Sequence, residues 1–280
     1  MKTLPISIDL RITEKCNLKC PFCFGPSCRN QEIDLPSWFN LLDKFYQHQV
    51  RCLVITGGEP TLKKELQMLL EYAKKKGFFI VLSSNGLNEK LIDFCEWIDV
   101  LSLPMDGSDF EQCNLMRGMT KEQFIQVVIN MKKFKKKYPD KMLKIVTVVS
   151  KKNIYWIENI YQVIQNTADV WKLYQVSKHF NNRLIFEDEL EVSEILFTDI
   201  CQHIKCNYKD KIKVCLYKNS DRNGKYLFCE PNADAMVIAN DGEFVIGNFF
   251  SDFDSVVHNW KKYINDALLK GNVADTYYLT

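Results

Sequence analysis

Long apolar runs are missing from this chain of 280 residues. No stretch approaches the roughly 20 residues an α-helix needs to cross a bilayer. The first ten residues carry no signal-type apolar segment, and Asp9 and Arg11 interrupt the apolar positions around them. A strong charge of either sign is missing too. The 37 basic and 35 acidic side chains leave a net +2, which gives no general attraction to nucleic acid or to a membrane surface. The longest basic run, Lys132-Lys133-Phe134-Lys135-Lys136-Lys137, falls near the end of a predicted helix. Lysines there oppose the macrodipole on a solvated face. With 46% hydrophobic and 26% charged residues the composition is that of an ordinary globular protein. The length suits one large domain or a domain with an extension. Such a core needs no covalent staples, so the eleven cysteines are not expected to form a disulfide framework.

The chemistry-bearing residues are concentrated near the start. Cys16, Cys20 and Cys23 form a C-x3-C-x2-C pattern with Phe22 directly before the third cysteine. An iron–sulfur cube needs four ligands, usually thiolates. Three close thiolates with no obvious fourth leave one iron free for a ligand that is not protein. A structural zinc site wants a closed tetrahedron. Cys28 is the candidate for its fourth corner, but nothing else resembles a ribbon or finger. About a strand and a helix later comes Thr56-Gly57-Gly58-Glu59-Pro60.

In this order the two motifs resemble those of the radical S-adenosylmethionine (SAM) superfamily. The resemblance implies one [4Fe–4S] cluster held by Cys16, Cys20 and Cys23, with SAM chelated to the open iron. It implies reductive cleavage of SAM to methionine and a 5′-deoxyadenosyl radical, which abstracts hydrogen from the substrate. A flavodoxin or ferredoxin is the expected electron donor. A non-catalytic iron–sulfur carrier would have no use for the second motif. Three cluster ligands among eleven cysteines imply a reducing compartment, so the expected location is cytoplasmic. The oligomeric state is left open.

Short β-branched runs alternate with amphipathic segments through about residue 176. The strand-like runs are 6–12, 52–56, 78–83, 100–104, 143–149 and 170–176. Helical patterns lie near 35–49, 62–76, 87–95, 120–138 and 153–166. Parallel strands need crossover helices, so these repeats predict an α/β fold with a parallel sheet. The count matches the partial (β/α)6 barrel common in the superfamily. Chemistry in such barrels gathers at the carboxyl ends of strands, where both motifs fall. The expected division is a core over 1–180 and a small mixed C-terminal extension over 181–280. The extension should hold a helix near 191–205, strands at 213–217, 226–230, 235–239 and 243–247, and a final helix over about 254–268. Asn223-Gly224 and Asp241-Gly242 mark turns. The segment 236–248, leading to Trp260, resembles the hairpin of SPASM and twitch extensions, which normally hold auxiliary clusters. Cys201, Cys206, Cys215 and Cys229 could form a second cluster, but they contain no C-x2-C pair, so the expectation is a single cluster and buried small hydrophobes.

Gly57 and Gly58 allow a backbone to approach a ligand closely. The resemblance implies that Gly57, Gly58, Glu59 and Pro60 hold the SAM ammonium, with Glu59 serving the cofactor and not the fold. The turn Ser83-Ser84-Asn85-Gly86 resembles the family's Ser/Thr-Asn-Gly turn, whose hydroxyl and amide groups reach the adenosine and methionine portions. Arg117 occupies the position where many relatives place an arginine near the SAM carboxylate, a task suited to its planar donor fork. One departure is Pro104, which stands where relatives often carry serine two residues before the aspartate of the fourth strand, here Asp106.

The substrate clue lies within the strands. Lys144 and Lys172 interrupt apolar runs, and Lys172 shares a strand face with Tyr174. A lysine inside a barrel is costly unless an anion neutralises it, and the bland alternative is snorkelling at the strand mouths. The segment Trp171-Lys172-Leu173-Tyr174-Gln175 resembles one in viperins, radical SAM enzymes that dehydrate nucleoside triphosphates to antiviral chain terminators. Lys144 and Lys172 match viperin positions expected to face the triphosphate, whereas Val146 and Val170 stand where viperins carry asparagine and arginine. The first expectation is therefore an anionic small molecule or nucleotide as substrate, with a place in antiviral defence. The alternative is a peptide- or protein-modifying maturase, suggested by the SPASM-like tail. Most maturases add a leader-binding segment or extra clusters, and neither is evident in these residues.

Overall fold

The computed structural model describes residues 7–23, 25, 32–177, 187–222, 224–239 and 242–263. Its strands are β1 (Ser7–Arg11), β2 (Cys52–Thr56), β3 (Phe79–Ser83), β4 (Val100–Pro104) and β5 (Met142–Val149). These are followed by β6 (Val170–Gln175), β7 (Lys213–Tyr217), β8 (Leu227–Cys229), β9 (Asp234–Ala239) and β10 (Gly242–Asn248). The helices are α1 (Leu35–Gln47), α2 (Leu66–Lys75), α3 (Phe110–Arg117) and α4 (Lys121–Lys137). Four more follow: α5 (Ile160–Ile164), α6 (Glu187–Leu190), α7 (Glu194–Tyr208) and α8 (Phe253–Trp260). The fold is α/β with largely parallel pairing, as the alternating runs predict. Cα packing separates two compact units, one taken from 1–16, 25–83 and 222–280, the other from 17–24 and 84–221.

In the first unit the strand order is β10-β9-β8-β1-β2-β3. The β1–β2, β2–β3 and β1–β8 pairs are parallel, and β8–β9 and β9–β10 are antiparallel. Residues 52–55 of β2 are all buried, as a strand covered on both faces by crossovers must be. Helix α1 starts where the Asp34 carboxylate accepts the Ser37 N–H at 3.0 Å. A Ser/Asp-type cap of this kind is worth about 1 kcal/mol. The helix buries Trp38, Leu41, Leu42 and Phe45, the last edge-on to Phe249. The predicted hairpin forms between β9 and β10, and the Trp260 indole N–H donates to the Gly224 carbonyl at 2.9 Å. Asn223, Asp241 and the part of the predicted last helix beyond residue 263 lie outside the described residues, as do Cys28 and Ile6.

In the second unit the order is β4-β5-β6-β7, all parallel. Residues 213–217, expected among the strands of the extension, add to β6 in register Lys172↔Cys215. Helix α4 begins with a capping box of Thr120 and Gln123. Its basic end is solvated as predicted, with Lys132, Lys133, Lys136 and Lys137 exposed and Lys135 paired with Asp169 at 3.0 Å. Helix α3 escapes the apolar pattern because it is eight residues long and its stops are local. Asp109 caps its start, and Gly118 at φ 69° ends it. The helix predicted near 87–95 is a 3-10 segment over Leu91–Trp97. The one predicted over 153–166 shrinks to a 3-10 turn and α5. There Asn153 Oδ1 accepts the Ser150 N–H and Ser150 Oγ the Lys152 N–H, so side chains compete with the helix for backbone groups. Among the described residues no helix is long and apolar enough to cross a membrane.

Candidate active site

Strand β2 ends at Thr56, and the Gly57-Gly58-Glu59-Pro60 turn leaves it directly. The Gly58 N–H donates to the Thr13 carbonyl and the Glu59 N–H to the Lys15 carbonyl, both at 2.7 Å. A Cβ on Gly57 would stand 2.5 Å from Thr13 O, and one on Gly58 would stand 2.3 Å from Lys15 O. Gly57 also has φ +141°. The two glycines are thus required by backbone packed on backbone, against the residues that lead into Cys16. Glu59 is fully buried and caps the 3-10 turn Pro60–Leu62, its Oε1 accepting from Thr61 N–H at 3.0 Å and Thr61 Oγ at 2.6 Å. It therefore has a folding duty that the sequence did not suggest.

Glu32 is a residue that the motifs do not mark. Its carboxylate accepts from Thr13 Oγ at 2.5 Å and Glu14 N–H at 3.2 Å, and pairs with Lys63 at 2.9 Å. Burial acts to raise its pKa, but the hydrogen bonds from Thr13 and Lys63 outweigh it and hold the carboxyl below its ordinary range. A second unmarked contact is the buried pair Arg11–Glu230 at 2.7 Å, with the guanidinium 4.1 Å from the Phe228 ring centroid.

In the second unit the Cys23 N–H donates to the Cys20 carbonyl at 3.1 Å, a tight turn through Pro21 and Phe22. The Asn85 amide donates to Asn17 Oδ1 at 2.7 Å. Ser84 Oγ accepts the Gly86 N–H and Asn85 Oδ1 the Leu87 N–H, each at 3.0 Å, while Gly86 takes φ +80°. The Ser-Ser-Asn-Gly segment is thus a side-chain-braced turn, and Ser83 ends β3 half-buried.

Arg117 is the last residue of α3. Its Nε pairs with the fully buried Asp106 carboxylate, and its Nη1 lies 3.7 Å from Cys20 Sγ. Its guanidinium carbon stands 5.0 Å from the Phe22 ring centroid. Asp106 Oδ1 also accepts the Val148 N–H at 2.6 Å. Burial pushes the Asp106 carboxyl and the Cys20 thiol up, and Arg117 pulls both back down. Sequence marks Asp106 only as lying two residues after Pro104, although an ionisable residue just beyond an apolar strand was a signal in itself.

Cys16 is exposed, and Cys20 and Cys23 are half-buried; all three lie on one eight-residue stretch. No group of three or more His, Cys, Asp or Glu among the described residues converges as a single metal ion would need. A zinc ion draws its thiolates to about 2.3 Å from one point, whereas the ligands of a cube each meet a different iron and stand wider apart. Three thiols with a fourth position open are a donor set that suits such a cube. Of the later cysteines, Cys201 faces inward on α7 and Cys206 outward, and burial pushes the Cys201 thiol up to about 12.

Lys144 and Lys172 stand at the third position of β5 and β6, only 7% and 2% exposed, so snorkelling at a strand mouth does not describe them. The register pairs Lys144 with Val170 and Val146 with Lys172, which sets both lysines on one face of the sheet. Ser102 lies opposite Lys144 on that face. Lys172 Nζ stands 4.9 Å from the Tyr217 ring centroid, and Tyr217 stacks on Tyr174 at 4.8 Å. All four positions compared with viperins therefore meet in one patch, two cationic and two apolar.

A family model described as the Radical SAM superfamily matches residues 10–164. A curated relative, the PqqA peptide cyclase of Xanthomonas oryzae pv. oryzae (strain MAFF 311018), is 32% identical over 94 residues, 32% of this chain and 25% of that protein. The chain thus aligns with about a quarter of the relative's length. Among solved structures, Streptococcus suis SuiB bound to precursor peptide SuiA superposes with a TM-score of 0.73 at 15% identity, over 96% of this chain and 66% of that one. Native anSMEcpe with bound AdoMet and Cp18Cys peptide gives 0.72 at 16% identity, over 95% and 84%. At these identities the two structures show a shared fold.

Proposed function

The chain belongs to the radical SAM superfamily, and from that premise we propose that it is a SAM-cleaving enzyme that modifies a peptide or protein. The cluster and SAM, when bound, supply hydrogen-atom abstraction through the 5′-deoxyadenosyl radical. Cys16, Cys20 and Cys23 hold the cluster. The Gly57-Gly58 backbone, Glu59 and Pro60, together with Ser83, Ser84 and Asn85, hold SAM.

The observation that carries the peptide reading is the stretch 32% identical to a peptide cyclase. Two neighbours in fold, each with a peptide in its structure, support it. Nothing in these comparisons supports the nucleotide expected from the Lys172 segment. The patch around the lysines agrees with the change. A triphosphate wants charged or hydrogen-bonding groups throughout, yet Val146 and Val170 alternate with Lys144 and Lys172. Valine, stacked tyrosine and ammonium side by side suit a peptide segment that carries one carboxylate among apolar side chains.

Anaerobic incubation with SAM, reductant and two panels tests this, one of deuterated short peptides encoded near the gene and one of nucleotides. Deuterium should pass from a peptide into 5′-deoxyadenosine. Transfer from a nucleotide, with every peptide inert, would overturn the reading. Lys144→Met and Lys172→Met should leave SAM binding unchanged. Each should lower turnover of an acidic peptide about tenfold or more, since a hydrogen bond to a charged group is worth about 1.5–3 kcal/mol. Unchanged turnover in both variants would remove the lysines from the substrate site.

A further inference from the structure

The resemblance implies that Arg117 lies near the carboxylate of SAM. Its observed surroundings suggest a second duty. Three contacts orient the guanidinium. Nε is held by Asp106, the guanidinium carbon lies over the Phe22 ring at 5.0 Å from its centroid, and Nη1 is directed at Cys20 Sγ at 3.7 Å. Asp106 is itself immobilised. Its Oδ1 accepts the Val148 N–H at 2.6 Å, and its carbonyl accepts from Asn153 Nδ2 at 3.1 Å. The arginine side chain is 14% exposed and the aspartate 0%. A charged donor fork anchored so firmly on one side is placed, not wandering.

We propose that Arg117 is a positioning residue for the cluster loop, acting on the Cys20 thiolate and through it on the reduction potential. This rests on the reading that Cys20 is a cluster ligand. The geometry has two consequences. The cation over Phe22 and the donation to Cys20 Sγ fix the middle of the C-x2-C turn, which accounts for the aromatic before the third cysteine. A positive charge and an N–H directed at a ligand sulfur also stabilise the more negative, reduced cluster. Hydrogen bonds to the sulfurs and local charge are recognised controls of such potentials. Asp106 sets the size of the effect, because it orients the guanidinium and cancels part of its charge.

The electrostatics give the two partners opposite signs, which a purely structural role would not. In anaerobically reconstituted protein, Arg117→Met should move the cluster midpoint, followed by redox titration with electron paramagnetic resonance, to a more negative value. Asp106→Asn keeps an acceptor for Val148 and releases the full charge of Arg117, so its midpoint should move to a more positive value. Arg117→Lys retains charge without the fork and should fall between native and Arg117→Met, which keeps the question answerable if the methionine variant folds poorly. SAM affinity measured by calorimetry should change less than about twofold in Arg117→Lys. An unmoved midpoint in all three, or shifts of one sign in Arg117→Met and Asp106→Asn, would overturn the proposal. So would a tenfold loss of SAM affinity in Arg117→Lys with a native midpoint, which would return the arginine to the SAM carboxylate. Failure of the underlying reading looks different: iron content would then be unaffected by Cys20→Ala.

Discussion

Cys20→Ala is expected to abolish SAM cleavage and to take the iron of reconstituted protein from about four per chain to near none. Cys16→Ala and Cys23→Ala should do the same, because each thiolate meets a different iron and none can be shared. Iron and sulfide analysis with anaerobic SAM-cleavage assays measures both effects. A variant that kept its iron and cleaved SAM would remove that cysteine from the ligand set. Iron near eight per chain in the native protein, falling only to about four when all three are replaced, would reveal a second cluster elsewhere.

Gly58→Ala should be the most damaging change outside the cysteines. The new Cβ would lie 2.3 Å from Lys15 O and 2.6 Å from Glu14 O. Both are backbone atoms, so no side chain can rotate away and the turn must lift off residues 13–15. Overpacking of this kind costs about 1–3 kcal/mol. The hydrogen bonds from Gly58 and Glu59 to Thr13 and Lys15 would weaken as well, each worth about 0.5–1.5 kcal/mol net. A total of about 3 kcal/mol lowers the thermal midpoint by about 6 °C or more, at about 2–4 °C per kcal/mol. Cluster reconstitution should suffer with it, because the displaced segment leads into Cys16. Calorimetry alongside iron analysis checks this. A native midpoint together with native iron content would show that the close approach is not needed.

The two glycines show how a sequence reading can select the right residues for an incomplete reason. Read alone, they freed a backbone to meet a ligand; folded, they also let the second motif touch the approach to the first. Glu59 is similar, since its burial and its cap on Thr61 give it a duty toward the fold beside the one proposed toward SAM. The missed helix α3 and the two over-read helices have a common cause. All three are short, and in short segments caps and side-chain turns outweigh apolar periodicity.

Local spacing determined what depends on covalent reach. Three thiols within eight residues stay close in almost any fold, and a glycine pair after an apolar run makes a turn wherever the strand lies. Strand identity was equally legible, because a buried parallel strand must be apolar along its length. Tertiary structure decided what depends on register and on the meeting of distant segments. Arg117 reaches Cys20 across 97 positions, and Glu32 joins Thr13 to Lys63. Lys144 and Lys172 share a face only because β5 and β6 pair with Val146 opposite Lys172. A shift of one residue in that pairing would put the lysines on opposite faces. Neither strand alone fixes that register; the pairing between them does.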